Sequence, residues 1–556
     1  MSFVSSVVSF VNPCLYSQEV HKGHNGRHKG HEEEMEKMQK EYYIRIMFSL
    51  LLIPCMSNAQ EYFNVIKYGA KRDSSELATK AIGNAVAAAS KAGGGTVYFP
   101  AGKYLTGPIH LKSNITIFID AGAELHFSDN FDHYLPMVPS RWEGTDITNF
   151  SPLFYAYKAE NIAIVGRGII DGHGRKWWNF SEGYDEKKPR SKWQLEFDRL
   201  NKNILRPDLK GWVERGFLRP PFIQPMYCKN VLIEGITIRN SPFWTVNPEF
   251  CENVTIHAVT INNPPSPNTD GINPESCKNV HISNCHISVG DDCITIKSGK
   301  DTAGRKMAMP AENYTITNCT MLSGHGGVVI GSEMSGGVKK IVISNCVFDG
   351  TDRGIRIKTA RGRGGVVEDI RVDNIIMKNI KDQAIVLDMQ YAKTQPEPVS
   401  SRTPQLKNIH FSNITAQTKQ AVFINGLDEM PVEDISFHDI QFDAETGMLI
   451  KNAKNIELHN IRINTKNGSS LIVTNTRDML IDAVRTLHPL AGIAVITLTD
   501  VQNAFIYNNS PVAGSDVFVE LNGSKTKEII LKGNNFTNVK TPFIKREGVD
   551  QAIKVE

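Results

Sequence analysis

The sequence predicts an all-β fold, a right-handed parallel β-helix in which the chain winds as a solenoid. A polar residue, usually Asn, followed by alternating apolar residues recurs from Asn114 to Glu528, mostly at gaps of 21 to 34 residues. Repeats of this length are typical of solenoids. No regular helices alternate with these segments, which argues against a doubly wound or barrel fold. Asn at recurrent turns tolerates left-handed backbone and can hydrogen-bond to the neighbouring coil.

The composition is that of a large folded chain. It has 556 residues, of which 41% are hydrophobic and 22% charged. Repeat proteins grow by adding turns, so this length does not imply several domains. We expect residues 60–556 to form a single catalytic domain that is monomeric. The formal net charge of +3 indicates no nucleic-acid partner, and affinity for an acidic ligand has to come from local charges.

Residues 1–59 are predicted to be an upstream segment and a secretory signal peptide. An apolar run at 46–53 follows basic residues, and small residues provide a cleavage site after Ala59. The run is too short for a transmembrane helix. We therefore expect no membrane span and a secreted or periplasmic location. Translation that starts at Met38 or Met47 would make the residues further upstream an artefact.

Residues 79–92 are predicted to form an amphipathic helix at the start of the solenoid. Their apolar positions recur at helical spacing and end at the glycines of 93–95. Short strands are expected at 96–100 and 102–107. A helix at this end would cover the open edge of the first coil, which would otherwise invite aggregation. The sequence therefore predicts an N-terminal capping helix.

The cysteines are predicted to be buried thiols. Seven of the nine follow Ala59, and an odd number excludes a complete disulfide framework. Cys285, Cys319 and Cys346 each follow an Asn at the same place in their repeats, which predicts a ladder inside the coil. No cysteine and histidine pattern indicates a metal, and we expect none.

Two insertions, near 137–149 and 175–220, interrupt the repeats. They contain five of the six tryptophans, and the second also carries many lysines and arginines. Insertions in solenoids often emerge on one face and build the binding site. We expect them to wall off one end of a groove, with basic residues such as Arg175, Lys176 or Arg190 holding carboxylates. Alternatively, their aromatic side chains pack locally and leave the groove open.

Four short polar segments, at 268–271, 290–292, 324–326 and 356–358, predict a catalytic site. Successive segments are about one repeat apart, so stacked strands about 4.8 Å apart would bring them into one patch. Any one of them alone is also an ordinary turn or a solvated charge. Together they would collect three carboxylates, a histidine and two cations, namely Asp270, Asp291, Asp292, His325, Arg356 and Lys358.

The residue types of this patch favour glycoside hydrolysis of an acidic substrate. Asp291 and Asp292 interrupt a strand-forming run, where Asp is disfavoured. Crowded carboxylates raise one another's pKa, so one keeps a proton while another stays ionised, which supplies both an acid and a base. The glycines beside His325 would leave room for a ligand. Strand alternation puts Arg356 and Lys358 on the outer face, where they can bind a substrate carboxylate.

In this order, the four segments resemble the signature segments of glycoside hydrolase family 28, the polygalacturonases. The segments are Asn268-Thr269-Asp270, Gly290-Asp291-Asp292, Gly324-His325-Gly326 and Arg356-Ile357-Lys358. The opening through Gly69 and the glycine-rich segment near Gly95 are similar to that family too. The resemblance implies hydrolysis of α-1,4-galacturonosidic bonds in pectin or polygalacturonate by an inverting mechanism, without metal or organic cofactor. The expected partner is a pectic polysaccharide or a galacturonate oligosaccharide.

The resemblance also implies roles for individual residues. Asp291 would be the general acid, Asp270 and Asp292 would activate the water, and His325 would tune the carboxylates. Substrate binding would involve Asn268, Arg356, Lys358 and Tyr391.

Several alternatives remain open. Gly290 stands where fungal endo-acting members usually have Gln, which leaves the mode of action undecided, although the insertions favour exo-action. Rhamnogalacturonan hydrolases tend to lack the histidine and the Arg-x-Lys pair. A pectate lyase on the same β-helix would need Ca²⁺ and an arginine base. A non-catalytic, glycan-binding β-helix would have no need of a costly carboxylate cluster.

Overall fold

The computed structural model is a right-handed parallel β-helix, which confirms the predicted fold class. The structure describes residues 62–183, 187–203, 218–546, 548–549 and 553–555, together with 35, 37–38 and 40–42. The predicted signal peptide at 46–53 lies outside the described residues and stays a prediction, as does the division of the chain at residue 60.

The strands stack into three parallel ladders, one for each side of the coil. The first ladder contains Tyr62–Asn64, Gly95–Phe99, Ile115–Ile119, Glu160–Gly166, Lys229–Glu234, Glu252–His257, Lys278–Ser283, Ala311–Thr317, Gln502–Tyr507, Lys527–Lys532 and Ile553–Val555. The second contains Asp73–Leu77, Gly102–Thr106, Ala123–Phe127, Ile169–Asp171, Thr237–Arg239, Thr260–Asn262, His286–Ser288 and Thr320–Ser323. The third contains Ile109–His110, Phe154–Tyr157, Ile223–Met226, Ile294–Ile296, Val328–Gly331, Ile355–Lys358, Ala494–Thr499, Ser515–Asn522 and Val539–Lys545. Four long strands turn from one ladder into the next: Val338–Asp349, Val366–Asp388, Gln405–Asn425 and Val432–Asp482.

Asparagine turns hold successive coils in register, as predicted. At the entrance to the first ladder, six asparagines have left-handed backbone with φ of 55–63°. Each one after the first donates a hydrogen bond from Nδ2 to Oδ1 of the asparagine on the preceding coil, over 2.8–3.0 Å. The column is Asn114, Asn161, Asn230, Asn253, Asn279 and Asn313. Because each amide satisfies its neighbour, the column fixes the stacking of the coils.

The interior of the coil is a column of aliphatic side chains with buried thiols at its corners. Ile117, Ile164 and Ile233 on successive coils are at most 4% exposed. The predicted cysteine ladder is confirmed, since all three of its members are buried free thiols. A second ladder, which the sequence analysis did not single out, consists of Cys228, Cys251 and Cys277.

The predicted opening helix spans Thr79–Lys91, one residue shorter than expected. Its apolar face packs against the strands Tyr62–Asn64 and Gly95–Phe99. Its role as a cap of the first coil stays a prediction. Elsewhere in the described ranges, α-helices occupy Arg175–Glu182, Lys192–Asn201 and Asp301–Met307, and 3₁₀ turns occupy Val65–Tyr68 and Phe131–Tyr134. None of the described helices is long and apolar enough to cross a membrane.

The two insertions have different structures. The first is an antiparallel hairpin formed by Val138–Trp142 and Thr145–Asn149, and the second contributes the helices Arg175–Glu182 and Lys192–Asn201. The aromatic side chains that the structure describes in both insertions mainly pack against nearby rings, as the alternative interpretation held for their packing. Trp142 stacks on Phe243 with centroids 5.2 Å apart, and Trp177 stacks on Phe131 at 4.0 Å.

Candidate active site

Three aspartates from adjacent coils meet on the third ladder. Asp270 precedes the bridge between Ile272 and Ile294, and Asp291 and Asp292 precede the strand Ile294–Ile296. One carboxylate oxygen of each aspartate lies within 4.8 Å of the others. Asp270 is 3% exposed and Asp292 1%. The parallel stacking therefore brings these residues together as the repeat spacing predicted.

Asp291 and Asp292 lie in a turn between strands and not inside a strand, contrary to the expectation. The turn follows Gly290, whose backbone lies against Ser266, so that a Cβ at this position would be 2.4 Å from backbone atoms of Ser266. Within the turn, the Asp292 backbone N–H donates to Asp291 Oδ1 over 2.9 Å. In a strand, the side chains of adjacent residues point to opposite faces. This constraint is absent in the turn, so Asp291 and Asp292 can both reach the same site.

Lys358 faces the carboxylates from the outer face of its strand, which it shares with Arg356 as predicted, but its side chain is buried. Its Nζ donates to Asp292 Oδ2 over 2.9 Å, and its side chain is only 10% exposed. It lies two residues after Arg356 on the strand Ile355–Lys358, so strand alternation places both side chains on the outward face that lines the cavity. Lys358 is therefore the counter-ion of a carboxylate as well as a cation of the cavity.

His325 contacts the carboxylate of Asp291. Its Nδ1 lies 3.3 Å from Asp291 Oδ1, and this hydrogen bond raises the pKa of His325. Burial alone would raise the pKa of Asp291, but the hydrogen bond to His325 and the charges of His325, Lys358 and Lys297 lower it. By contrast, burial and the neighbouring Asp291 raise the pKa of Asp270 well above its usual value. Within the cluster, protonation is therefore favoured at Asp270 and at His325 over Asp291.

The glycines beside His325 make room for close packing of the chain, and their predicted role in leaving room for a ligand stays a prediction. A Cβ at Gly324 would lie 2.5 Å from the Asp291 carbonyl oxygen, and Gly324 has a φ of 148°. A Cβ at Gly326 would come within 2.5 Å of Val329 and 3.4 Å of Asp292 Oδ1. Gly324 is needed because the neighbouring coil approaches closely, and Gly326 because Val329 of the same coil packs against it.

Two buried carboxylate oxygens face the cavity without a protein partner. Asp270 Oδ1 and Asp292 Oδ1 accept no hydrogen bond from any residue in the described part of the chain. The other oxygen of Asp270 accepts a bond from Thr295 Oγ1 over 3.3 Å, and that of Asp292 is bound by Lys358. A buried oxygen without a donor is costly, so this pair of atoms is suited to holding one small donor such as water.

The remaining predicted residues line the same cavity of about 390 Å³. The ring centroid of Tyr391 lies 5.4 Å from Arg356 Cζ and 5.5 Å from Lys358 Nζ, and Tyr391 is 48% exposed. Asn268 Oδ1 accepts a hydrogen bond from Arg219 Nη2 over 2.8 Å. All eight predicted site residues thus border one cavity: Asn268, Asp270, Asp291, Asp292, His325, Arg356, Lys358 and Tyr391.

Sequence reasoning missed a second charged group in this cavity. Lys297 Nζ lies 2.9 Å from Glu333 Oε2 and 4.6 Å from the ring centroid of Trp244, the tryptophan outside both insertions. Burial alone would lower the pKa of Lys297, but Glu333 and Asp270 raise it above its usual value. The alternation that begins at Ile294 could have indicated Lys297, since Thr295 and Lys297 share an outer face. Nothing in the sequence around Glu333 marks it.

The hairpin of the first insertion supplies a wall of the cavity. Arg141 anchors the hairpin, with Nη2 at 2.7 Å from Glu275 and Nε at 3.5 Å from Glu249, and its side chain is 3% exposed. At the tip, Glu143 lines the cavity and its Oε2 lies 3.5 Å from Lys300 Nζ. Burial raises the pKa of Glu143 to about 7, although Lys300 opposes the shift.

The hairpin also covers the sheet on the N-terminal side of the site. Gln224 and Asn247 are outward-facing residues of the two coils that precede Asp270, and both are completely buried. Ser140 Oγ donates to Gln224 Oε1 over 2.7 Å, and Gln224 Nε2 donates to the Arg141 carbonyl oxygen over 3.2 Å. The face that would extend the cavity in this direction is therefore closed.

The basic residues expected from the second insertion do not line the catalytic cavity. Arg175 and Lys176 border a different groove of about 1070 Å³, which residues 264–267 also line. Arg190 pairs with Asp198 at 2.7 Å. Among the described residues, the hairpin forms a wall of the site and Arg219, near the end of the second insertion, contacts Asn268, whereas the helix Arg175–Glu182 lines the other groove.

The aspartate cluster has the spacing of a possible cation site, but it already contains a cation. Its three oxygens lie within 4.8 Å of one another, which is compatible with a bound metal. Lys358 bonds directly to Asp292, and Lys297 contributes a second positive charge that acts on Asp270. The ammonium groups supply the charge compensation that a metal would otherwise provide.

A parallel β-helix with clustered carboxylates, a histidine and cations in one cavity defines a carbohydrate-cleaving enzyme of the glycoside hydrolase class. Sequence comparison agrees: the model described as glycosyl hydrolases family 28 matches residues 213–464, and one described as rhamnogalacturonase A/epimerase, pectate lyase-like, matches 62–182. A probable polygalacturonase of Vitis vinifera is 32% identical over 389 residues, covering 68% of this chain and 73% of that protein. The chain belongs to glycoside hydrolase family 28.

Further relatives include enzymes of both modes of action. An endo-polygalacturonase of Pectobacterium carotovorum subsp. carotovorum is 30% identical over 356 residues, covering 63% of this chain and 80% of that protein. The crystal structure of a hyperthermoactive exopolygalacturonase from Thermotoga maritima is similar with a TM-score of 0.65 and 34% identity. The similarity covers 72% of this chain and 91% of that one.

Proposed function

We propose that this enzyme hydrolyses the α-1,4-galacturonosidic bonds of pectin or polygalacturonate with inversion, releasing products from a chain end. One observation carries the proposal: Asp270, Asp291 and Asp292 share a cavity with Arg356 and Lys358. The carboxylates supply acid–base chemistry, and the guanidinium of Arg356 can bind the carboxylate of a galacturonate unit. Relatives named polygalacturonases support the same substrate class.

The general acid is Asp291, supplied with a proton by His325. The lowered pKa of Asp291 and the raised pKa of His325 mean that the proton of this pair rests on the imidazole in the ligand-free enzyme. A proton shared by two hydrogen-bonded groups belongs to the pair. It can therefore pass from His325 along the 3.3 Å contact to Asp291, while the leaving glycosidic oxygen takes a proton from Asp291. His325 is 52% exposed and can be reprotonated from solvent.

Asp270 and Asp292 hold the attacking water between their buried oxygens. Asp292 is the base of this pair, because Lys358 Nζ lies 2.9 Å from its Oδ2, whereas burial and Asp291 raise the pKa of Asp270. Both carboxylates lie at the floor of the cavity, which favours attack by water over direct attack on the sugar. The 4.8 Å oxygen spacing is shorter than the roughly 6.5–9.5 Å between the two carboxyl groups of most inverting enzymes. That range describes a single base, whereas here two carboxylates hold the water.

Exo-action is supported by the hairpin that closes the sheet beside Asp270. An endo-acting enzyme needs a groove that is open on both sides of its carboxylates, so that a long chain can lie across it. Here Glu143 stands at the edge of the cavity, and the outer face of the two preceding coils is covered. The Thermotoga maritima relative is named an exopolygalacturonase and the Pectobacterium relative an endo-polygalacturonase, so the relatives alone leave both modes open.

A product time course on polygalacturonate tests this proposal. We expect galacturonate or its dimer from the first minutes, with viscosity nearly unchanged. A rapid viscosity loss with mixed oligomers would show an open groove, and ultraviolet-absorbing unsaturated products would indicate a lyase. Activity only on rhamnogalacturonan would favour the alternative hydrolase, and binding without cleavage would favour a glycan-binding protein. Proton NMR of the first product should show inversion at the anomeric carbon.

The enzyme is also proposed to act outside the cytoplasm, as a monomer. The support is the leader-like sequence 46–53 and a polymeric substrate that is too large to enter a cell. N-terminal sequencing of exported protein should begin at Gln60. Sequence retained from before Met38 would contradict both the cleavage site and a later translation start.

A further inference from the structure

We infer that Glu143 and Lys300 recognise the non-reducing terminal galacturonate of the substrate, and that they determine specificity for that chain end. This inference rests on the proposed hydrolysis of galacturonan. The pair belongs to neither the carboxylate triad nor the segments that resemble the family. It lies at the hairpin edge of the cavity, where the sheet that holds the carboxylates becomes covered.

The position of the pair is fixed by the structure. The hairpin tip packs directly on the segment that carries Lys300, since a Cβ at Gly144 would lie 2.9 Å from Lys300 Cβ and N. At its base, the hairpin is held by Arg141 between two buried glutamates. The side chains of Glu143 and Lys300 are 13% and 14% exposed, so they reach the cavity but not the outer surface. A ligand in the cavity would meet both groups in a desolvated place, where hydrogen bonds to charged groups are strong.

The chemistry of the pair matches one end of a galacturonan chain. In a 1,4-linked chain, only the non-reducing terminal unit has a free 4-hydroxyl, and C4 is separated from the C6 carboxylate by C5 alone. A carboxylate beside an ammonium, with Glu143 Oε2 3.5 Å from Lys300 Nζ, offers an acceptor for the hydroxyl next to a cation for the carboxylate. At the reducing end, the free hydroxyl lies across the ring oxygen from C5 and is further from the carboxylate.

An internal unit of the chain cannot satisfy this pair. Its O4 is glycosylated and has no proton to donate to Glu143, and the next sugar would have to pass through the hairpin. A terminal unit therefore gains an interaction at the position where a continuing chain meets steric exclusion. The hairpin would thus exclude a continuing chain, and Glu143 and Lys300 would in addition bind the chain end.

The experiment compares three trigalacturonides that differ only at their ends. The first is unmodified. The second has a 4,5-unsaturated non-reducing unit, as formed by a lyase, and lacks the 4-hydroxyl. The third has its reducing end converted to the alditol by borohydride. For the wild type, we expect kcat/KM on the unsaturated trimer to fall roughly 10²-fold or more, because a site built to bond a hydroxyl rejects its absence. The alditol should be cleaved nearly as fast as the unmodified trimer.

Variants then test which residues cause the preference for the unmodified trimer over the unsaturated one. Glu143→Gln keeps the shape of the side chain and should lose roughly 10–100-fold on the unmodified trimer, the effect of a charged hydrogen bond, with little change on the unsaturated trimer. Lys300→Met should also reduce the preference. Glu160→Gln, at an exposed carboxylate on another ladder, is the matched control and should behave as the wild type. Circular dichroism and the thermal midpoint check that each variant is folded.

The outcomes separate this inference from the proposed function. A wild type that releases terminal products but cleaves the unsaturated trimer equally well would overturn the inference alone. The same holds if Glu143→Gln retains the full preference, and discrimination against the alditol would mean that the opposite chain end is read. A wild type that shows no cleavage of any galacturonide would instead overturn the proposed function.

Discussion

Replacing Lys358 with Met should reduce both stability and turnover, because the variant leaves Asp292 buried without its counter-ion. In the wild type the two groups are 2.9 Å apart, with side chains 10% and 1% exposed. Removing one partner of a buried ion pair typically costs about 3–5 kcal/mol. Lys297 remains nearby and continues to compensate the cluster, so we expect a loss of folding free energy of about 3 kcal/mol, at the lower end of this range.

The same change should act mainly on kcat. A carboxylate left buried without its cation is neutralised by a proton and can no longer act as a base. Loss of a general base typically reduces turnover roughly 10²–10⁴-fold. Lys358 also lies 5.5 Å from the ring of Tyr391, so an increase in KM should accompany this loss but be smaller.

The assay combines urea unfolding with steady-state kinetics on galacturonate oligomers. Lys378→Met, at an exposed lysine on the strand Val366–Asp388, is the matched control and should change neither quantity. The double variant Lys358→Met/Asp292→Asn should recover stability without recovering turnover, because it removes the buried charge along with the base. A rise in KM with unchanged kcat would refute the reasoning and would leave Lys358 as a substrate-binding residue only.

Three further predictions follow from the same geometry. Asp291→Asn should lose roughly 10²–10⁴-fold in kcat on galacturonate oligomers, and near-normal turnover would show that the acid is another residue. His325→Gln should move the alkaline limb of the kcat/KM profile to lower pH. In the wild type, the required proton is present below the raised pKa of His325 and is lost as pH rises through it. An unchanged limb would separate His325 from proton supply. Arg141→Met should loosen the hairpin, because two glutamates lose their buried cation. Products should then shift from small fragments towards mixed oligomers, and an unaltered product pattern would mean that the hairpin does not set the mode of cutting.

The regular part of the fold was predictable because its cause is local. An Asn at the same place in each repeat adopts left-handed backbone and hydrogen-bonds to the Asn one coil away. The spacing of these residues in the sequence therefore gives the length of each coil and the pitch of the solenoid. The same pitch explains why residues as distant as Asp270 and Lys358 could be assigned to one patch. Each step between coils is a short parallel pairing, and the distance along the sequence has little effect on it.

The partners of outward-facing side chains were less predictable than the directions of those side chains. Alternation correctly describes Ile355 and Ile357, which are buried in the core. It also places Arg356 and Lys358 on the outer face, where both line the cavity, but it does not indicate which charge on the neighbouring coils Lys358 meets. In this case that charge is Asp292, 66 residues earlier in the sequence. No periodicity within one coil contains this information.

The placement of the insertions depended on buried charge and not on their composition. The second insertion is rich in tryptophan, lysine and arginine, but its first helix, Arg175–Glu182, lines another groove. The first insertion is short and carries Arg141, whose guanidinium is held by two glutamates on consecutive coils. Those glutamates continue in register into Lys297 of the catalytic cavity, so a single column of the sheet provides both the anchor of the hairpin and a cation of the site. The glutamates that anchor the hairpin and the lysine that acts on the carboxylates are therefore successive positions of one ladder. This arrangement explains how a short hairpin can define the end of the active site.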